Sequence, residues 1–299
     1  MQTTFAVTIP THDRCETVLL AALSALRQTR SPEQVIVLCD GCTDATAAAI
    51  QALDDPRAIA VELPKAAGYA YGHRNRALEL TSADAILWLA DDDLLLPDHL
   101  ERLGELWDGG AVDVVTSPAV IVYADDALQW FGADWSVPSH RASLERENSN
   151  VMASISVRAQ LVHDVGGWDA GQPRWGDWNL WKRLLAAGAR AADTGEATVL
   201  HFKATGRGQP WPERVIQNTR WLERISDPSQ LPEVRRTLRR ARAERDATLI
   251  SRLEQVELER DGIASRLEQV ELERDGIVNG RWWRLREKLL PVRKAVRGY

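Results

Sequence analysis

The chain has 299 residues and a mass of 33.4 kDa, which suits one large domain or two ordinary ones plus an appendage. Hydrophobic residues make up 44% and charged residues 27%, so a sizeable core can form and global disorder is excluded. The net charge of −6 argues against nucleic-acid binding through bulk positive charge, and three cysteines are too few for a disulfide framework.

No apolar run reaches the roughly 18 residues that span a bilayer. The richest stretch, residues 85–96, is interrupted by Asp91, Asp92 and Asp93. The N-terminus has no basic stretch before an apolar run, so no signal peptide is expected and the chain is placed in the cytoplasm.

Residues 1–110 alternate short apolar runs with helical patterns, the signature of βαβ units around a parallel sheet. Strands are predicted over 5–9 (stopping at Pro10), 35–38, 59–63 and 85–89, with helices over 16–28, 43–53 and 72–80. Beyond these, 112–116 and 119–123 read as strands, 154–165 as a strand turning helical, 178–187 as a helix and 198–202 as a last strand. Six of the twelve tryptophans fall between Trp130 and Trp181, most of them suited to a core. The composition changes near 232, giving three zones: 1–225, 232–280 and 281–299.

Residues 235–247 are basic and helical, and then SRLEQVELERDGI occurs twice, at 251–263 and 265–277, a period of 14. Fourteen is two heptads. Leu253, Val256, Ile263, Leu267, Val270 and Ile277 occupy a and d positions, with Arg260 and Arg274 weakening the seam. The segment reads as a short coiled coil that could join two copies of the chain, or as a solvated helix acting as a spacer. The last 19 residues carry seven bases and one acid, interleaved with Trp282, Trp283, Leu285, Leu289 and Leu290. A basic amphipathic tail of this kind suits an anionic membrane surface better than a docking cap.

The chemistry concentrates at strand ends. Asp91, Asp92 and Asp93 follow the strand 85–89, and carboxylates this crowded repel one another unless a cation such as Mg²⁺ or Mn²⁺ neutralises them. A solvated acidic loop gives the same triplet; the apolar strand before it favours the metal. Asp40 ends the strand at 35–38, where a carboxylate can accept from a base or ribose, or simply cap the turn at Gly41. Cys39 and Cys42 spell CxxC, but no second pair or thioredoxin-like context supports a zinc or redox role.

VTIPTHDR at 7–14, CDGCTD at 39–44, GHRNRA at 72–77, the acidic triplet, VGGWD at 165–169 and GDWNLW at 176–181, six segments in order over residues 5–181, together resemble family-2 glycosyltransferases of the GT-A fold. VTIPTHDR at 7–14 resembles their opening strand and loop, and CDGCTD at 39–44 their Asp-Asp-Gly-Ser-Thr-Asp turn. GHRNRA at 72–77 is similar to their Gly…Ala-Arg-Asn segment, and the acidic triplet to their DXD motif. VGGWD at 165–169 and GDWNLW at 176–181 resemble Val-Gly-Gly-Phe-Asp and Glu-Asp-Trp-Asp-Leu-Trp. Ala90, Cys39, Cys42 and Gly176 depart from these patterns.

The resemblance implies a Rossmann-like, mostly parallel sheet flanked by helices, followed by the helical tail. It implies a nucleotide-diphosphate sugar donor and a glycan or lipid-linked acceptor, in bacterial surface polysaccharide synthesis. Asp40 would bind the base, Thr11 line the same pocket, Arg74 approach the base or diphosphate, and Asp91 touch the ribose. Asp92 would hold the metal with Asp93 beside it, His201 would be a third ligand, and Asp177 the general base. Trp175 and Trp178, flanking Asp177, offer flat faces for an acceptor sugar. One base and one displacement imply inversion, whereas a glycosidase needs two opposed carboxyls. The competing readings are a metal-dependent nucleotidyltransferase, for which residues 10–14 lack a Gly-rich phosphate loop, and a coiled-coil scaffold bearing a decayed sugar domain.

Overall fold

A computed structural model describes residues 2–110, 112–203, 210–279 and 284, with side chains for all but 276–279. The chain opens as β1 (Phe5–Thr11), α1 (Cys15–Leu26), β2 (Gln34–Asp40), α2 (Thr46–Gln51), β3 (Ala58–Leu63), α3 (Tyr71–Leu80) and β4 (Ala85–Trp88). It continues through β5 (Leu94–Leu95), α4 (His99–Trp107), β6 (Val114–Thr116), β7 (Ala119–Val122), β8 (Leu128–Phe131), α5 (Pro138–Ser143), β9 (Ile155–Arg158) and α6 (Ala159–Asp164). It closes with α7 (Gly176–Ala186), β10 (Ala191–Asp193), β11 (Val199–Phe202), α8 (Trp211–Ser226) and α9 (Leu231–Asn279).

Seven strands make the main sheet in the order β10-β6-β9-β4-β1-β2-β3, parallel except for β9. A four-stranded sheet, β5-β11-β7-β8, stands beside it. Alternate residues of β1 enter opposite cores: Phe5, Val7 and Ile9 pack with α1, α2 and α4, while Ala6 faces the layer of α3, α6 and α7. Both faces are covered, as a parallel sheet requires. A third core joins the small sheet to Trp221, Leu222 and Ile225 of α8 and to Val234 and Leu238 of α9.

The strand order reverses at β1, whose neighbours are β2 and β4. The switch point lies beyond the carboxyl ends of β1 and β4, where sheets of this kind form a ligand crevice. β4 pairs with β1 over Phe5–Thr8, whereas β2 stays with β1 as far as Thr11. The predicted stop at Pro10 gives way to a strand running through it. Past Thr8 the β4 side of β1 is open, so the missing N–H of proline interrupts no pairing there.

Several elements lie outside the predicted set: β5, α4, β8, α5, β10 and α8. The strands among them read LL, LQWF and AAD, none a continuous apolar run of strand length. The helix predicted over 43–53 starts three residues late, because Asp44 holds the turn, accepting from the Thr46 N–H at 3.0 Å. The chain divides into two compact units, 1–242 and 243–299. In the second, Leu253, Val256, Ile263, Leu267 and Val270 are all exposed on α9. No helix among the described residues is long and apolar enough to cross a membrane. The tail at 281–299 lies outside the described residues apart from Arg284.

One ion cluster fixes the β6 edge. Asp113 accepts from the Arg190 N–H at 3.1 Å, Arg190 Nε at 2.8 Å and Arg158 Nε at 3.3 Å. The Arg190 contact chiefly lowers the Asp113 pKa, to about 2. A carboxyl with a depressed folded-state pKa contributes stability above its unfolded value and loses it as pH falls through the folded one. Asp113→Asn should therefore lower the unfolding free energy by about 1 kcal/mol at neutral pH. The difference from wild type in urea melts should shrink as pH drops from 3.8 towards about 2. A constant difference across that window would assign the effect to packing.

Candidate active site

Three carboxylates are brought to the mouth of the crevice by the turn after β4, and each meets different surroundings. Asp91 is buried and accepts from Thr11 Oγ1 at 2.8 Å and Arg14 Nη1 at 2.9 Å, so the end of β1 is tied to the end of β4. Burial raises its pKa, and the Arg14 charge opposes the rise. Asp93 is also buried; His201 Nδ1 lies 2.9 Å from its Oδ2, and the Phe202 N–H donates to its Oδ1 at 3.1 Å. Burial disfavours the His201 imidazolium, but Asp93 outweighs it and the histidine pKa is raised.

Among the described residues, Asp92 has no comparable partner. Its nearest ion-pair partner is Arg214 Nη1 of α8, at 3.8 Å, beyond hydrogen-bond length. Burial first, then Asp93 and Asp91, push the Asp92 pKa up to about 7. Its main-chain oxygen is held by Asn218 Nδ2 at 2.7 Å. An under-neutralised carboxylate beside an imidazole whose Nδ1 is occupied by Asp93 fits a divalent cation, since a carboxylate behind a histidine is the usual support for a histidine ligand. Among the described residues, the group of three that does bring its ligand atoms within 4.8 Å of one another is a different one, His12, Asp13 and Cys42, largely in solvent.

Asp40, the last residue of β2, is buried against the next segments. Lys65 Nζ reaches it at 2.6 Å, the Ala66 N–H at 2.7 Å and His73 Nδ1 at 3.2 Å. Burial alone would raise its pKa; the Ala66 N–H and Lys65 reverse this and lower it. Arg74, on the next turn of the chain, is buried above the rings of Tyr71 and Trp168, its carbon centre 5.1 and 5.0 Å from their centroids. Its Nη1 donates to the Tyr69 carbonyl at 2.6 Å, and its Nε has no partner. Burial lowers its pKa, and the charges of Tyr71, Asp177, Asp40 and Asp91 oppose that.

Asp177 sits in the first turn of α7, where the helix N-terminus favours a carboxylate, and accepts from Asn148 Nδ2 at 2.8 Å. The glycine that replaces glutamate before it has a physical reason. A Cβ on Gly176 would lie 2.6 Å from the Tyr71 ring. Trp175, in the left-handed region at φ 59°, is 62% exposed. Trp178 is half-buried with its Nε1 on the Leu144 carbonyl at 2.5 Å, and the two rings meet edge-on at 6.4 Å. The remaining tryptophans of this stretch, Trp130, Trp135, Trp168 and Trp181, are core residues.

The motifs of the resemblance interlock. Asn75 accepts the Trp168 N–H at 2.7 Å and donates to the Trp168 carbonyl at 2.9 Å, and Asp13 accepts the Thr43 N–H at 2.6 Å. Cys39 is buried and its thiol is pushed up to about 12, chiefly by burial, which disfavours the thiolate there. Arg14 and His73 lie inside those motifs, yet nothing in the sequence around them signals the acids they meet. Lys65, Asn148, Arg214 and Asn218 leave no signal in one sequence, since each is a single polar residue brought in by the fold.

A mixed, mostly parallel sheet with an acidic turn at its switch point defines an α/β protein built to take a ligand at its strand ends. Within that class the chain belongs to glycosyl transferase family 2, whose model matches residues 6–160. It is 26% identical over 235 residues to the uncharacterized glycosyltransferase YwdF of Bacillus subtilis (strain 168), covering 77% of this chain and 85% of that one. It is 30% identical over 117 residues to the succinoglycan biosynthesis protein ExoO of Rhizobium meliloti (strain 1021), covering 39% of this chain and 33% of that one. Among solved structures, S. aureus TarS 1–349 in complex with UDP-GlcNAc superposes with a TM-score of 0.55 at 18% identity. That match covers 73% of this chain and 65% of the other, so this chain spans just under two thirds of it. The same TarS fragment in complex with UDP aligns with a TM-score of 0.53. The fold is thus GT-A.

Proposed function

We propose that the protein is an inverting glycosyltransferase that moves a hexosyl or deoxyhexosyl group from a nucleotide-diphosphate sugar to a hydroxyl of a glycan or lipid-linked acceptor. The observation that carries this is Asp92, half-buried between two buried carboxylates and, among the described residues, left short of neutralising charge near His201 at the strand ends. The family match and the nucleotide-bound TarS structures support the donor class.

Asp92 and His201 would hold Mg²⁺ or Mn²⁺, with Asp93 orienting the imidazole. Bound there, the ion supplies charge neutralisation to the diphosphate leaving group. Asp40 receives the base against His73 and Lys65, Asp91 faces the ribose from its anchor on Thr11 and Arg14, and Arg74 lends positive charge between the acids. Asp177 takes the acceptor hydroxyl proton as that oxygen bonds to the anomeric carbon. The bond from that carbon to the phosphate oxygen breaks, and its electron pair leaves with the diphosphate. Trp175 and Trp178 present faces to the acceptor sugar.

In this reading residues 1–225 carry the chemistry, while 232–280 and 281–299 place it. The exposed heptad stripe of α9 pairs with a second copy. The basic tail holds the enzyme on the anionic inner face of the cytoplasmic membrane, in surface polysaccharide synthesis. Deleting 281–299 should release the protein from anionic vesicles and spare activity on a soluble acceptor. Unchanged sedimentation with vesicles, or binding indifferent to high salt, contradicts the membrane role.

Asp177→Asn should reduce transfer by about 10²–10⁴-fold while donor binding persists. Transfer near the wild-type rate would remove Asp177 as the base. A wild-type protein that neither turns over sugar nucleotides nor binds them would instead support the scaffold reading.

A further inference from the structure

One charged group in the crevice has no task in the scheme above. Arg214 stands in the first turn of α8 and is 4% exposed, and its buried Nη1 has no hydrogen-bond partner among the described residues. The same atom is 3.8 Å from Asp92 Oδ2, close enough for charge to act and too far to donate. Buried guanidinium donors are ordinarily satisfied, because leaving one unpaired forfeits its hydration without a return.

The helix that carries it is firmly positioned. One turn on, Asn218 donates to the Asp92 carbonyl at 2.7 Å. Gln217 donates to the Tyr123 carbonyl at 2.7 Å and to Asp126 at 2.9 Å, and Trp221 Nε1 donates to Asp126 at 3.1 Å. At the start of the helix, Trp211 lies against Arg14, whose carbon centre is 4.7 Å from the ring centroid. These contacts join α8 to the acidic turn and to the β7–β8 connection, and so fix the backbone that carries Arg214 beside Asp92.

We infer that Arg214 binds the diphosphate of the donor, its unpartnered Nη1 donating to a phosphate oxygen; this rests on the reading of the site as a sugar-nucleotide crevice. An anion drawn to a cation at Asp92 comes within reach of a guanidinium fixed next to that carboxylate. The fork of an arginine then adds a charge-assisted hydrogen bond that neither Asp92 nor His201 can make. Before the ligand arrives, the same charge partly offsets Asp92.

The test is calorimetry on the full chain with Mn²⁺, using UDP and dTDP against UMP and dTMP, alongside Mn²⁺ titrated alone and followed by electron paramagnetic resonance. In Arg214→Met the diphosphates should bind about 10–100-fold more weakly, the monophosphates should lose less, and Mn²⁺ alone should bind no more weakly than to wild type. Arg214→Lys keeps the charge without the fork and should fall between the two; it also serves if the methionine variant does not fold. Diphosphate affinity unchanged in both variants overturns the assignment. So does an equal loss for mono- and diphosphates, or a loss of Mn²⁺ binding, which would make Arg214 a support of the acidic turn. A wild-type protein that binds Mn²⁺ but no nucleotide overturns this assignment and the sugar-nucleotide reading together; wild-type binding with an indifferent Arg214 overturns this assignment alone.

Discussion

Three consecutive carboxyls cannot all stay ionised in a buried turn unless positive charge reaches each of them, and the architecture of the crevice follows from that constraint. Asp91 is answered by Arg14 and Thr11 from the end of β1, and Asp93 by His201 from β11. Among the described residues, Asp92 is answered only at a distance, by Arg214 from α8. The two partial solutions stitch distant segments together, and the unfinished one leaves a carboxyl whose pKa stands at about 7. In a family whose reactions expel an anion, that residual demand for positive charge is where a divalent cation fits.

The topology makes the arrangement possible. Because the strand order turns at β1, the β4 side of that strand is released after Thr8, and the acidic turn drops into the gap. The small sheet then delivers His201 alongside, since β11 pairs with β5 immediately after the acidic residues. On the far side, the stack of Tyr71, Trp168 and Arg74 sits under Gly176, so the donor side and the helix bearing Asp177 share one packed support. A side chain at Gly176 would break that support, which gives the departure from glutamate a packing reason.

Much of this is legible in the amino-acid sequence. The βαβ alternation of residues 1–110 marks a parallel sheet because strands buried on both faces read as continuous apolar runs, as in β2 and β4. Asp40, Asp91, Asp92 and Asp93 can be placed because a carboxylate directly after such a run lies at a strand end. The short strands β5, β8 and β10 are not legible, since LL, LQWF and AAD give no continuous apolar run of strand length. Nor is α8, although its buried Arg214, Gln217, Asn218 and Trp221 define one face. Polar residues on that face mask the apolar stripe, and they are polar because they grip the acidic turn and Asp126. The division of labour among the three aspartates is equally hidden, since it depends on Arg14, His201 and Arg214, which lie far from the triplet in sequence.

The central claim is that the acidic turn and His201 together form the cation site of a sugar-nucleotide crevice. The most direct measurement is an anomalous difference map from crystals grown with Mn²⁺ and UDP or dTDP. The account predicts a manganese peak within ligand distance of Asp92 and of the His201 Nε2, with the diphosphate against it and Asp177 facing the same space. A peak at His12, Asp13 and Cys42 instead, or nucleotide bound away from the β1–β4 opening, would contradict it.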